Sequence, residues 1–416
     1  MYKDKSDLGT LHRKNSALVL DVIRHMELVS RADIAKATKL TPAAVSSIID
    51  ELISYKIIQE VGLSDDGRVG RKAVMLSINS SELQVISVDF NNDEIFFGIV
   101  NLKGQYQKIK TYENVGDYPA EKIFSILFAE IDEIIADMAR KSQILLGLGI
   151  AFPAPLDATG KILHTGTFIK LQNYSIAEVL KSRYPFPIYV ENDADAAALA
   201  ESWFGNWPGV NSLFFVLLEK GIGSGFVIKG NLFRGQNRLS SELGHMTVIS
   251  DGPLCHCGNF GCLETVASSG SIAKEALEML RQQGSLQLPA EDLDIEHIFK
   301  LIFADKQLSD KLFSKVGTYL GMALANTINL LTPDIVVLGG IIAEYPGLIG
   351  KLVTLAKPRI HPIFREAIPI EVSKLGRYAP LIGAASLIIK DVYHDPLSIK
   401  KLMDVSEKED ENIKVV

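Results

Sequence analysis

All three cysteines of this 416-residue chain lie within eight positions, in the run His245-x9-Cys255-x-Cys257-x4-Cys262. Three cysteines cannot build a disulfide framework, and their crowding points to a metal instead. One imidazole and three thiolates complete a tetrahedral shell of the borderline-soft donors that zinc prefers. Gly252, Gly258 and Gly261 allow a short loop to wrap an ion that sits ~2.0–2.3 Å from its ligands. Four protein ligands leave no open position, so one structural Zn2+ is expected. His256 is the less suitable imidazole, because it would have to fit between two adjacent thiolates. The alternative is three buried free cysteines beside an incidental histidine, all within 18 residues.

The rest of the composition is that of a folded protein: 47% hydrophobic and 22% charged residues exclude disordered and low-complexity classes. No apolar run approaches the ~20 residues of a membrane helix. Met1-Tyr2-Lys3-Asp4-Lys5 has no apolar stretch behind it to act as a signal peptide, so a cytoplasmic location without membrane partners is expected. The net charge of −7 is unevenly spread. Residues 1–80 carry 12 Lys/Arg against 10 Asp/Glu, net +2, and the other 336 carry 31 against 40, net −9. A small basic head on an acidic body suits a chain in which only the head meets a polyanion.

That head reads as three helices and a hairpin. Ala17, Leu18, Val22 and Ile23 share one face of a helix over about 14–26. Ser30 is an N-cap for a second helix, Arg31 to about Thr38, with Asp33 in its first turn. Thr41-Pro42 caps and opens a third, Ala43 to Tyr55, whose Val45, Ile48, Ile49, Leu52 and Ile53 face inward. The turn Lys39-Leu40-Thr41 between the last two suits a helix-turn-helix. Ile57–Val61 and Lys72–Ile78 alternate like strands around Ser64-Asp65-Asp66-Gly67, as a wing would. The third helix offers bases Thr41, Ser46 and Ser47 hydroxyls and Ala43 and Ala44 methyls. Basic residues sit in the wing, at Arg68, Arg71 and Lys72, where arginines suit a narrow A·T-rich minor groove. The plainer alternative is a helical subdomain with a solvated basic turn.

After the polar linker Asn79–Glu82, strands are expected at Val85–Phe90, Ile95–Leu102, Leu145–Phe152, Ile188–Val190, Leu213–Leu218, Gly225–Ile228 and Ile335–Leu338. An amphipathic helix covers Glu121–Arg140 and an alanine-rich one Ala194–Glu201. This is an α/β body on mixed sheets, with no tandem repeat visible in the sequence. Polar groups at the carboxyl end of a strand lie where ligands bind in such bodies. Glu191-Asn192-Asp193 ends one strand, and Glu242, His245 and Glu264 flank the cysteine loop. Carboxylates, an amide and an imidazole form a set suited to sugar hydroxyls.

The segment Gly235–Ser268, with Ser241-Glu242-Leu243-Gly244-His245 and Cys255-His256-Cys257-Gly258-Asn259-Phe260-Gly261-Cys262-Leu263-Glu264, closely resembles the signature of the ROK family of repressors, open reading frames and sugar kinases. The resemblance extends over essentially the whole chain. It implies a winged helix-turn-helix over 1–80 and a two-lobed, actin-like and ribonuclease H-like sugar-kinase fold over 81–403. Lobe one would take about 81–190 and the C-terminal helix at about 381–396; lobe two would take about 191–380, and 404–416 would be a charged tail. It further implies sugar contacts at Asn192, Asp193, Glu242, His245 and Glu264. His245 would then serve zinc with one ring nitrogen and sugar with the other.

The chain departs from the family's kinases at the nucleotide site. Where they carry an Asp-x-Gly-x-Thr loop, this chain has Asp89-Phe90-Asn91-Asn92-Asp93. Asn91 replaces the glycine that permits close backbone approach, and Asp93 puts a negative charge where phosphates would lie. A second phosphate loop is retained as Gly221-Ile222-Gly223-Ser224-Gly225, and Gly339-Gly340 matches the adenosine side, although such glycines also suit plain turns. Asp193 stands at the position of the kinase base, with no catalytic role expected. His164–Asn173 lacks the Asn and Trp pattern that many sugar-binding relatives carry there. The expectation is therefore a sugar-responsive, DNA-binding repressor: a homodimer or homotetramer released from double-stranded operator DNA by a sugar or sugar phosphate. The alternatives are an ATP-dependent sugar kinase with an accessory head, and a regulator whose effector is a protein.

Overall fold

The computed structural model describes residues 8–63, 72–91, 94–157, 159–163, 168–235, 241–283 and 295–399. The expected wing turn with Arg68 and Arg71, Asp93, His164 to Thr167 and the 404–416 tail lie outside the described residues.

The head holds α1 (Leu8–Met26), β1 (Val29–Ser30), α2 (Arg31–Thr38), α3 (Pro42–Ser54), β2 (Ile58–Leu63) and β3 (Val74–Ile78). Its caps form as their chemistry dictates. Ser30 Oγ accepts from Asp33 N at 3.2 Å, Thr41 Oγ1 accepts from Ala44 N at 3.3 Å, and Pro42 occupies the first turn of α3. α1 begins earlier than its apolar stripe suggests, because Leu8–Arg13 extends it by nearly two turns with Leu11 exposed. Two-residue β1 joins the hairpin to make an antiparallel sheet in the order β1-β3-β2. So short a strand has no periodicity to read.

The body contains β4 (Leu83–Asn91), β5 (Glu94–Asn101), β6 (Tyr106–Tyr112), α4 (Ala120–Arg140), β7 (Ile144–Phe152), α5 (Ile176–Lys181), β8 (Ile188–Asn192) and α6 (Asp193–Phe204). It continues through β9 (Ser212–Leu218), β10 (Ile222–Ile228), β11 (Asn231–Leu232), α7 (Glu264–Ala267), α8 (Ser269–Gln282), α9 (Ile295–Ala304) and α10 (Lys306–Leu331). Last come β12 (Ile335–Gly339), α11 (Pro346–Ala356), β13 (Ile370–Val372) and α12 (Ala379–His394).

Two five-stranded sheets result, in the orders β6-β5-β4-β7-β8 and β11-β10-β9-β12-β13. Each has two antiparallel pairings followed by two parallel ones. The same topology is thus built twice, a duplication that leaves no repeat in the amino-acid sequence. β6, missed by periodicity, is an edge strand whose middle residues are exposed, so no alternation of buried side chains marks it.

α6 and α12 pack against each other between the two sheets. α6 lies on β9 and β10, and α12 lies on β4 and β7. Their contact is made by bare backbone. A Cβ on Gly383 of α12 would fall 1.9 Å from the Ala196 carbonyl oxygen of α6. A Cβ on Gly149 of β7 would fall 2.1 Å from that of Ala384. Gly223 and Gly225 do the same for α6 on β10, where added Cβ atoms would meet those of Ala194 and Ala198 at 2.7 Å. Of the run Gly221–Gly225, Gly221 lies in the β9–β10 turn and the residues from Ile222 belong to β10, with Gly221, Ile222 and Gly223 lining the cleft.

Gly383→Ala should therefore lower the melting temperature, with a loss of about 3 kcal/mol or more, because a fixed backbone oxygen cannot yield to the new methyl. Gly347→Ala, exposed in α11 with nothing within 4 Å of the new Cβ, should not lower it. Paired thermal melts of the two variants check this.

Candidate functional site

A cleft of about 1110 Å³ opens between the lobes, lined among others by Asn91, Asn192, Asp193, Glu219, Glu242, His245 and Glu264. All five residues expected to contact sugar thus share one cavity. Sheet register explains part of this. The pairing Phe152↔Asn192 ends β7 and β8 together, and Asn192 Nδ2 reaches the Ala154 carbonyl oxygen at 3.4 Å. Asn192 Oδ1 caps α6 by accepting from Ala194 N and Asp195 N at 3.0 and 3.1 Å. Part of its side chain is therefore committed to the helix rather than to a ligand.

Asp193 opens α6 and accepts from Ala194 N at 2.8 Å. Burial pushes its carboxyl up to about 7, against that hydrogen bond. Burial also raises Glu242, and nearby Glu264 adds to the effect. Asp89 is buried on β4 beneath the cleft, and neither of its oxygens has a hydrogen-bond partner among the described residues. Burial, then Asp193 and Glu219, raise it well above the usual carboxylate range.

Beside the cleft, Thr247↔Cys262 and Leu254↔Phe260 bridges fold the cysteine loop into a small hairpin, with Gly258 and Gly261 at φ +91° and +68°. His245, Cys255, Cys257 and Cys262 present ligand atoms that all lie within 4.8 Å of one another. Cys257 and Cys262 Sγ are 3.7 Å apart, and His245 Nδ1 is 3.6 Å from Cys255 Sγ. The sulfur separation is far beyond the ~2.0 Å of a disulfide. It matches the roughly 3.8 Å edge of a tetrahedron built on ~2.3 Å metal–sulfur bonds. These four residues are a metal-binding group in composition and spacing. His256 instead pairs with Glu264, Nδ1 to Oε1 at 2.9 Å, while Glu264 Oε2 accepts from Ile222 N at 3.4 Å. His245, His256 and Glu264 form a second such cluster.

In the head, Ala43 and Ser47 lie exposed on α3, and Ala44 and Ser46 are half-buried. The exposed Thr41 spends one lone pair on its cap, and Lys72 is exposed. The acids of α3 have partners. Arg31 reaches Asp50 at 3.1 Å and Glu60 at 2.9 Å, and His12 Nε2 lies 2.7 Å from Glu51. Sequence reasoning missed Arg31, whose role depends on α2 and β2 meeting beside α3. It also missed Glu219, Asp195 and the ion pair between buried Glu191 and half-buried Arg234. The acids at 191, 193 and 195 on a strand-to-helix junction carried that signal.

The profile of the ROK family matches residues 85–391. The chain belongs to the ROK family. The xylose repressor of Bacillus subtilis is 28% identical over 387 residues, covering 93% of this chain and 97% of that protein. The Escherichia coli DNA-binding transcriptional dual regulator NagC is 28% identical over 375 residues, 90% of this chain and 92% of its own. Among solved structures, a ROK family transcriptional regulator homologous to E. coli MLC is matched with a TM-score of 0.77 at 26% identity, covering 95% of this ROK chain and 99% of its own. A ROK hexokinase from Thermus thermophilus gives 0.60 at 28% identity, covering 76% and 99%. The regulators thus span the head as well as the body, whereas this kinase covers about three quarters.

Asp195 gives a test of the buried charge behind the cleft. Its Oδ1 is buried without a hydrogen-bond partner among the described residues. Burial first and Glu191 second push it up to about 8, with Arg234 opposing and Glu242 and Asp193 adding. A carboxyl raised in the folded state makes folding take up a proton between the unfolded and folded values. Wild-type stability should therefore fall relative to Asp195→Asn as pH rises from about 4 to about 8, by up to roughly 1.4 kcal/mol per unit, and then level off. Urea melts of both proteins from pH 3.5 to 9 check the slope. An Asn variant with no growing advantage would contradict the assignment.

Proposed function

We propose that this ROK protein is a sugar-responsive, DNA-binding transcriptional repressor that acts in the cytoplasm as a homodimer or homotetramer. The observation that carries the reading is coverage: the repressors and the regulator structure align with head and body together. The three helices and hairpin of the head are read as a winged helix-turn-helix, with α3 and the wing meeting double-stranded DNA. Two half-sites are then expected, because α3 presents few base-reading groups. Arg31 supports this by pairing with Asp50, an acid on α3 that would repel phosphates.

The cleft takes a sugar or sugar phosphate. Carboxylates held near neutrality, such as Asp193, can both donate to and accept from hydroxyls. The side chain of Asn91 at the cleft, in place of a glycine, does not make a phosphate cradle, so the body is read as a sensor rather than a kinase. One zinc ion held by His245, Cys255, Cys257 and Cys262 would supply rigidity to the loop that presents Glu242 and Glu264. Cys257→Ser should reduce bound zinc from about one per chain to well below one by elemental analysis, and lower the melting temperature. Protein free of zinc with three freely titratable thiols would remove the metal from this reading.

The function is tested with a duplex selected by the full-length protein from a random pool. Xylose, N-acetylglucosamine and their phosphates are screened for release. One of them should raise the melting temperature and weaken DNA binding at least about tenfold, and Asp193→Asn should reduce both effects. ATP-coupled turnover at ordinary kinase rates of ~1–100 per second, lost in Asp193→Asn, would establish the kinase instead.

A further inference from the structure

The head and lobe one share one hydrophobic core. Val19, Leu20 and Ile23 of α1 pack in a single cluster with Val85 of β4 and Ile389 and Val392 of α12. Arg13 adds an ion pair to Asp395 at 2.7 Å. The head is thereby seated on lobe one and α12.

Lobe two reaches the head by a different route, the C-terminal end of α6. The Arg24 guanidinium of α1 lies 4.5 Å from the ring centroid of Trp203 and 5.6 Å from that of Tyr393. Its Nη1 also donates to the Trp203 carbonyl oxygen at 3.4 Å. Trp203 belongs to α6 and Tyr393 to α12, and their rings lie 5.5 Å apart. Trp203 is tied to lobe two, since its Nε1 donates to the Gly230 carbonyl oxygen at 3.1 Å between β10 and β11. One side chain of the head therefore spans the meeting point of the two inter-lobe helices. At the other end of α6, about 18 Å away at 1.5 Å per residue, stand Asn192 and Asp193 in the cleft.

The contact between α6 and α12 suits sliding. Where Gly383 meets Ala196 the surface is backbone, and Ala196 and Ala384 pack together with Ala151. Small displacements of packed helices are one of the recognised modes of lobe closure.

The geometry points to Arg24 as the residue that couples the cleft to the DNA-binding head. A ligand that draws lobe two toward lobe one shifts α6 along α12. Trp203 moves with α6 while Tyr393 stays with α12, so the stack on Arg24 is remade and α1 changes its set on lobe one. The inference rests on the sugar-responsive repressor reading above. Because coupling is reciprocal, DNA must weaken sugar binding by the same factor that sugar weakens DNA binding.

The test uses full-length protein, the selected duplex, and xylose, N-acetylglucosamine and their phosphates as probes. Arg24→Met keeps an aliphatic stem on the rings and removes the guanidinium. It should bind the active sugar within about twofold of wild type by calorimetry and bind the duplex within about threefold. Sugar should then change its DNA affinity by less than about twofold, against tenfold or more in wild type. Trp203→Leu removes the stack from the lobe-two side and should uncouple in the same way. Either variant keeping the wild-type response while binding both ligands overturns the proposal, as does disagreement between the two. If no probe binds wild-type protein, the sensor reading of the cleft falls and the coupling falls with it. That outcome is distinguished by calorimetry on wild type alone.

Discussion

The backbone-close packing of α6 against α12 is the constraint on which the rest of the molecule depends. It brings two topologically equivalent sheets to opposite sides of one helix pair, and the cleft is the space left between them. Gly149, Gly223, Gly225 and Gly383 make the approach possible, because at each a single methyl would collide with a carbonyl oxygen or an alanine methyl. The alanines of α6, buried at positions 194, 196, 197, 198 and 200, serve the same end from the other side. An alanine-rich helix is a good helix former in any setting. Here its small side chains matter because three layers must share one helix.

That packing also decides the electrostatics. α6 starts in the cleft, so Asp193 and Asp195 are carried into a region already occupied by Glu191 and Glu242 and floored by Asp89. Burial raises their carboxyls toward or above neutrality, and Arg234 compensates only part of the charge by pairing with Glu191. Carboxyls raised in this way can donate as well as accept hydrogen bonds. The structure holds Glu264 between Ile222 N and His256, which fixes its orientation before any ligand arrives.

The cysteine loop, the caps at Ser30 and Thr41 and most body strands were legible from residue type and spacing, because each depends on neighbours a few positions away. The ROK resemblance rested on the same kind of local signature. The doubled topology was not legible, since β6 and β11 are an exposed edge and a two-residue strand. Nor was the packing role of Gly223 and Gly225, which admit α6 against β10. A glycine run looks the same whether it wraps a phosphate or admits a helix.

The sequence by itself determined the donor set of the metal-binding loop, the three helices of the head and the acidic strand end at Glu191–Asp193. These follow from short-range chemistry: ligand spacing, capping hydroxyls and the placement of apolar residues. Tertiary structure alone decided which acids share a cavity, which of them burial raises above the usual carboxylate range, and that Arg31 pairs with Asp50. It alone placed Arg24 over Trp203 and Tyr393, residues far away in the chain. Such relations depend on how helices from distant segments cross, and no local pattern records a crossing.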